Sequence, residues 1–102
     1  MVVVLIRLQS TLPDDEVSRR TLERFPAFAT VPGLVQKYVA RGASDGEFVG
    51  VLVFASAEAA AAFRGSELAG TTATAYAVSE PPRVEILPVL HTLHDEALTE
   101  MR

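Results

Sequence analysis

The segment FVGVLVF, residues 48–54, is apolar at every position. A strand with one face in water alternates apolar with polar residues, so a strand of this kind is covered on both sides. Alternation places Phe48, Gly50, Leu52 and Phe54 on one face and Val49, Val51 and Val53 on the other. The run VVVLI at residues 2–6 has the same two-sided character. Any fold adopted by this chain must therefore cover both faces of its central sheet.

The chain itself supplies little with which to do so. Its 102 residues, 49% hydrophobic and 22% charged, suit a single globular domain over residues 1–90 followed by a polar tail over 91–102. A formal charge of −4 offers no basic stripe to neutralise phosphates, which argues against nucleic acid and anionic membranes as partners. With no cysteine, disulfides, thiolate nucleophiles and sulfur-ligated metals are excluded, a composition compatible with the cytoplasm. The opening MVVVLI is too short to span a membrane and lacks the basic region of a signal peptide, so it reads as a first strand.

Along the chain, strands are expected at residues 2–8, 34–41, 48–54 and 83–90. A first helix over 14–29 begins with acidic residues at the positive end of its dipole and carries Val17, Thr21, Phe25 and Phe28 at helical spacing. Pro26 is expected to kink or restart it. The loop GASDG at 42–46 predicts an antiparallel hairpin between strands two and three. Ser56 is placed to cap a thin, alanine-rich helix in SAEAAAAFRGSEL, whereas TTATAYAV at 71–78 fits either a short irregular helix or a strand. Pro88 marks the last strand as an edge or a bulge. The order β-α-β-β-α-β is the ferredoxin-like α+β arrangement, with both helices on one face of an antiparallel sheet. The other face is then an apolar patch larger than soluble monomers usually expose. A second copy of the chain is the economical cover, giving a homodimeric barrel with its helices outside.

VPGLVQKY at 31–38, DGEFVGVLVF at 45–54, SAEAAAAF at 56–63 and a strand after Pro81 and Pro82 together resemble the YdhR-like branch of the dimeric α+β barrel superfamily. That superfamily includes the antibiotic biosynthesis monooxygenases. The resemblance implies a ligand pocket between sheet and helices and a cofactor-independent monooxygenase, or a related isomerase or cyclase, acting on an aromatic or polyketide-like molecule. The alternative is a hydrophobic small-molecule binding or stress-related protein without catalysis. Quinone-forming members carry Asn and then Trp on one face of the third strand. Aligned with one gap, Gly50 and Phe54 stand there, so the oxyanion-holding amide is missing while Phe54 can still stack on a flat ligand.

Among polar candidates, His91 and His94 are spaced three apart, with Asp95 beside them. Two histidines without a third placed ligand make a weak metal signal, so no metal or other cofactor is expected. His91 and His94 read first as tail residues in solvent, with His91, an imidazole, as the candidate general base. Tyr38 shares strand parity with Leu34 and Gln36, which places it in the pocket or the dimer core. Lys37, of opposite parity, reads as a solvated or dimer-rim ammonium, and Arg7 is expected to pair with Glu85. Phe25, Phe28 and Phe63 read first as core, and Tyr76 as a half-buried loop aromatic or a cap over the pocket. Phosphate loops, G-x-S-x-G elbows and HExxH motifs are absent from the sequence. The alanine-rich helix, Gly50 and Pro26 together predict an apolar cavity of about 300 Å³ or more. Its expected lining is Phe28, Tyr38, Phe54 and Tyr76, with His91 at the mouth and Tyr38 and His91 as catalytic groups.

Overall fold

The computed structural model describes residues 1–94. Strand β1 (Val2–Gln9) leads into helix α1 (Asp14–Phe28), followed by β2 (Leu34–Arg41) and β3 (Glu47–Phe54). Helix α2 (Ala57–Arg64) and two single-turn helices, α3 (Glu67–Gly70) and α4 (Thr72–Ala75), then lead to β4 (Arg83–Pro88). The four strands form one antiparallel sheet in the order β2-β3-β1-β4. This is the ferredoxin-like α+β fold.

Register assigns the two faces. Val2, Val4 and Leu8 lie opposite Phe54, Leu52 and Phe48, and all six are buried beneath Val17 and Phe28 of α1, Ala60 and Phe63 of α2, and Tyr76. Val3, Leu5 and Arg7 lie opposite Val53, Val51 and Val49 on the face that carries no helix. Arg7 reaches Glu85 there at 3.4 Å, as its position predicts. The two-sided apolarity of β1 and β3 is thus divided between a helix-covered face and a bare one.

Local chemistry accounts for most element boundaries. Ser56 accepts a hydrogen bond from the Ala59 N–H at 3.1 Å, and α2 stops at Gly65. The ambiguous stretch 71–78 resolves as the short helix α4 and not as a strand, followed only by an isolated bridge from Val78 to Ser10. Between them Ala77 adopts φ 48°, an uncommon value for a residue with a side chain, and its carbonyl accepts from the Thr11 hydroxyl at 2.9 Å. As Pro88 suggests, β4 is an edge strand.

Two expectations are corrected. Helix α1 runs unbroken through Pro26: the proline costs the one bond to the Leu22 carbonyl, and both residues are exposed, so water can take the place of the missing N–H. In β2 a bulge at Val35 sets Leu34 opposite Phe54 but Gln36 opposite Val53. One extra residue reverses strand parity, so Leu34 and Lys37 face the helices while Gln36 and Tyr38 face away. The polar tail is only partly covered: residues 91–94 form no helix, and Asp95 with the rest of the tail lies outside the described residues.

Candidate functional site between the sheet and helix α1

The helix-covered face is not uniformly filled. Beneath α2, Phe63 packs against Phe28 and Phe54 with ring centroids 5.8 and 5.5 Å apart, and Phe54 is 0% exposed. Directly beneath α2 these rings fill the layer, and the space beside the alanine-rich helix is left as open clefts of about 500 and 190 Å³ along its flanks, at Ala59, Ala62 and Phe63 and at Phe63 and Arg64. The cavity lies instead beneath α1. It is lined by Ile6, Leu8, Phe48, Gly50 and Leu52 from β1 and β3, by Val17 and Phe28 from α1, and by Tyr76. Its polar neighbours are Lys37, Arg24 and Thr72. The cavity volume is about 30 Å³, a tenth of the expected size, and two open clefts of about 610 and 330 Å³ flank it along β2. Phe25, 37% exposed, stands at the lip between both clefts rather than in the core.

Of the lining residues predicted from sequence, Phe28 and Tyr76 are brought together here and Phe54 and Tyr38 are not. Phe54 is sealed in the aromatic cluster beneath α2. Tyr38 lies opposite Val51 on the bare face, 48% exposed, because of the bulge at Val35. His91 is exposed beyond the end of β4 and does not line the cavity. Among the described residues no three His, Cys, Asp or Glu side chains form a metal-binding group.

The residues that sequence reasoning undervalued are Lys37 and Arg24. The Lys37 ammonium lies 3.2 Å from the centroid of the Phe28 ring and 5.8 Å from that of Phe25. Burial, and secondarily the charge of Arg24, bring its pKa down from 10.5 to about 7. The ring face beneath it favours the ammonium and opposes this shift, so both protonation states are accessible near neutrality. Arg24 stacks over Phe28 and Tyr76 at 5.5 and 5.6 Å and donates to the Thr71 hydroxyl at 3.1 Å and the Leu68 carbonyl at 3.3 Å. Its buried Nε has no hydrogen-bond partner. Tyr76 is fixed by its hydroxyl against Thr21 at 3.1 Å and by its carbonyl, which accepts from Ser10 at 2.6 Å. Arg24 shared a helical stripe with Val17, Thr21 and Phe28, and that spacing was the available signal. For Lys37 the signal was hidden by the bulge.

Comparison with solved structures places this architecture. SnoaB from Streptomyces nogalater, a cofactor-independent oxygenase, superposes with a TM-score of 0.72 at 21% identity, covering 90% of this chain and 95% of that one. A protein assigned as an antibiotic biosynthesis monooxygenase from Caulobacter crescentus gives 0.71 at 18% identity, covering 88% and 90%. One with the same assignment from Nitrosomonas europaea gives 0.68 at 20% identity, covering 89% and 100%. The chain has the fold of the antibiotic biosynthesis monooxygenase structures. No family model and no curated protein matches the sequence. Within this fold the candidate site is the cavity under α1, and among the described residues no helix is long and apolar enough to cross a membrane.

Proposed function

We propose that this protein is a cofactor-independent monooxygenase, acting as a cytoplasmic homodimer on an aromatic or polyketide-like molecule held between sheet and α1. The observation that carries this reading is the Lys37 amine, set beside the Phe28 ring in an otherwise largely apolar cavity. An amine with a pKa of about 7 is matched to abstracting a proton at neutral pH. In this reading Lys37 removes an acidic proton from a CH₂ flanked by an aromatic ketone or phenol. The anion forms a C–O bond with dioxygen, and the resulting hydroperoxide loses water, so that CH₂ and O₂ become C=O and H₂O. The surrounding apolar side chains keep bulk water from quenching the anion.

The cavity of about 30 Å³ has room for about one water. The tip of Lys37 rests on the face of Phe28, where a flat substrate would stack. Its withdrawal joins the cavity to the cleft of about 610 Å³ that it also lines, a volume within the usual range of roughly 300–1,000 Å³ for small-molecule sites. Homodimerisation rests on the bare sheet face, where Val3, Leu5, Val49, Val51 and Val53 form a continuous apolar surface beside Tyr38 and Leu87.

Oxygen uptake tests the enzymatic reading. Anthrone-like phenols should consume dioxygen without added flavin or metal, and Lys37→Met should slow the reaction by about 10²-fold or more, the scale for losing a general base. An equal loss in Tyr38→Phe or His91→Ala, with Lys37→Met active, would return proton transfer to those residues. Binding without oxygen uptake would favour the carrier alternative. Light scattering should give a dimer mass that Val51→Glu halves without unfolding. A wild-type monomer at micromolar concentration would end the dimer reading.

A further inference from the structure

Two cationic side chains share the Phe28 ring, and neither is balanced. The Lys37 ammonium and the Arg24 guanidinium lie 3.2 and 5.5 Å from its centroid. Among the described residues no carboxylate comes within ion-pair distance of either. Lys37 makes no side-chain hydrogen bond there, and the Nε of Arg24 is buried without an acceptor. The other titratable group lining the cavity is the Tyr76 phenol, whose hydroxyl is engaged with Thr21. Buried charge of one sign is costly unless something of the opposite sign meets it. Thr71 and the Leu68 carbonyl hold Arg24 in place from the α3–α4 segment, while Lys37, resting on the ring without a hydrogen bond, is free to follow a ligand.

We infer that Lys37 and Arg24 form an oxyanion-binding pair, and that the ligand of this cavity is a flat, mostly apolar ring carrying a single ionised oxygen. Phe28 and Tyr76 supply the stacking surfaces, and the two cations supply the recognition. The inference rests on the proposed pocket beneath α1 but requires no turnover. A phenol delivers its proton to the Lys37 amine and leaves a phenolate between the ammonium and the guanidinium. A carboxylate arrives already ionised and draws a proton onto Lys37 from solvent. The pair thus selects among aromatic molecules by acidity.

The test uses 4-nitrophenol, whose ionised form absorbs at a longer wavelength than its neutral form, with 4-nitroanisole as a neutral near-isostere and 4-nitrobenzoate as the carboxylate arm. Bound 4-nitrophenol should ionise at a pH at least about one unit lower than the free molecule, and 4-nitroanisole should bind about tenfold more weakly or worse, the scale of one charge-assisted hydrogen bond. Preference for 4-nitrophenol over 4-nitrobenzoate assigns the site to phenolates, and the reverse assigns it to aromatic acids. Lys37→Met and Lys37→Gln, checked for retained fold by circular dichroism, should each sharply reduce the discrimination between anion and neutral isostere, leaving only the part that Arg24 supplies. Equal affinity for 4-nitroanisole, or discrimination intact in both variants, overturns the proposal. Anion-selective binding without oxygen uptake would sink the oxygenase reading and leave this one standing.

Discussion

The two halves of the layer between sheet and helices are built on opposite principles. Beneath α2, the backbone comes close to the sheet layer. Gly33, at φ 78°, has no side chain, and a Cβ there would sit 2.5 Å from that of Ala59. Ala60 is fully buried, and the layer directly beneath the helix is filled by the rings of Phe28, Phe54 and Phe63, leaving clefts only along its flanks. Beneath α1, the inward stripe carries the half-buried Arg24 as well as the buried Val17, Thr21 and Phe28, and polar ends prevent such closure. The difference shows how one sheet supports both a rigid core and an adaptable site. Small side chains draw one helix in, while long polar ones hold the other off.

The largest effect is expected where packing is complete. Phe54→Ala removes a ring that is 0% exposed and in contact with Phe63, and should cost about 3–5 kcal/mol of stability. Urea denaturation measures it. Phe25→Ala, at the 37% exposed lip of the clefts, should cost less than half as much. Equal losses would mean that the α1 half is as tightly packed as the α2 half, and the contrast would fail.

The contrast also explains what could be read in the sequence. Element order, the Ser56 cap, the edge position of β4 and the pairing of Arg7 with Glu85 follow from local rules of propensity, capping and charge burial, and the structure agrees. The site depended on parity along β2, which was counted from Leu34 without the bulge at Val35. One inserted residue exchanged Tyr38 for Lys37 on the inner face. Phe54 was misplaced for a different reason: the distance between α2 and the sheet is set by packing across the layer, and no local pattern encodes it.

Lys37→Met sharpens the comparison through pH. In the unfolded chain the amine titrates at its ordinary 10.5, whereas burial and Arg24 place it at about 7 in the fold. Below pH 7 both states are protonated, and the fold carries the full cost of holding the ammonium. Between about 7 and 10.5 the unfolded state binds more protons, so wild-type stability should rise with pH across that window. The methionine variant has no such term. Its Tm should exceed that of the wild type most at pH 6, with the gain shrinking as pH climbs toward 10. A pH-independent difference between the two proteins would show that Lys37 is not held in the α1 half as described.

The smallest and most specific change is Gly50→Ala. Gly50 lines the cavity, and a Cβ there would meet Leu52 Cδ1 at 3.5 Å and Ile6 Cβ at 3.8 Å, ordinary contacts that require nothing to shift. Its φ is not positive, so the backbone tolerates a side chain. Replacing a strand glycine by alanine restricts the unfolded chain and fills part of the void, which together should stabilise the protein by about 0.4–1 kcal/mol. The added methyl projects into the floor of the cavity opposite Phe28 and takes space from a stacked ring. Ligand affinity should therefore fall while stability rises, two changes of opposite sign from one methyl group. Denaturant midpoints and 4-nitrophenol titration of the same preparation measure both. If affinity is unchanged while stability rises, the ring binds elsewhere along the β2 clefts, and the floor of the α1 half is packing rather than site.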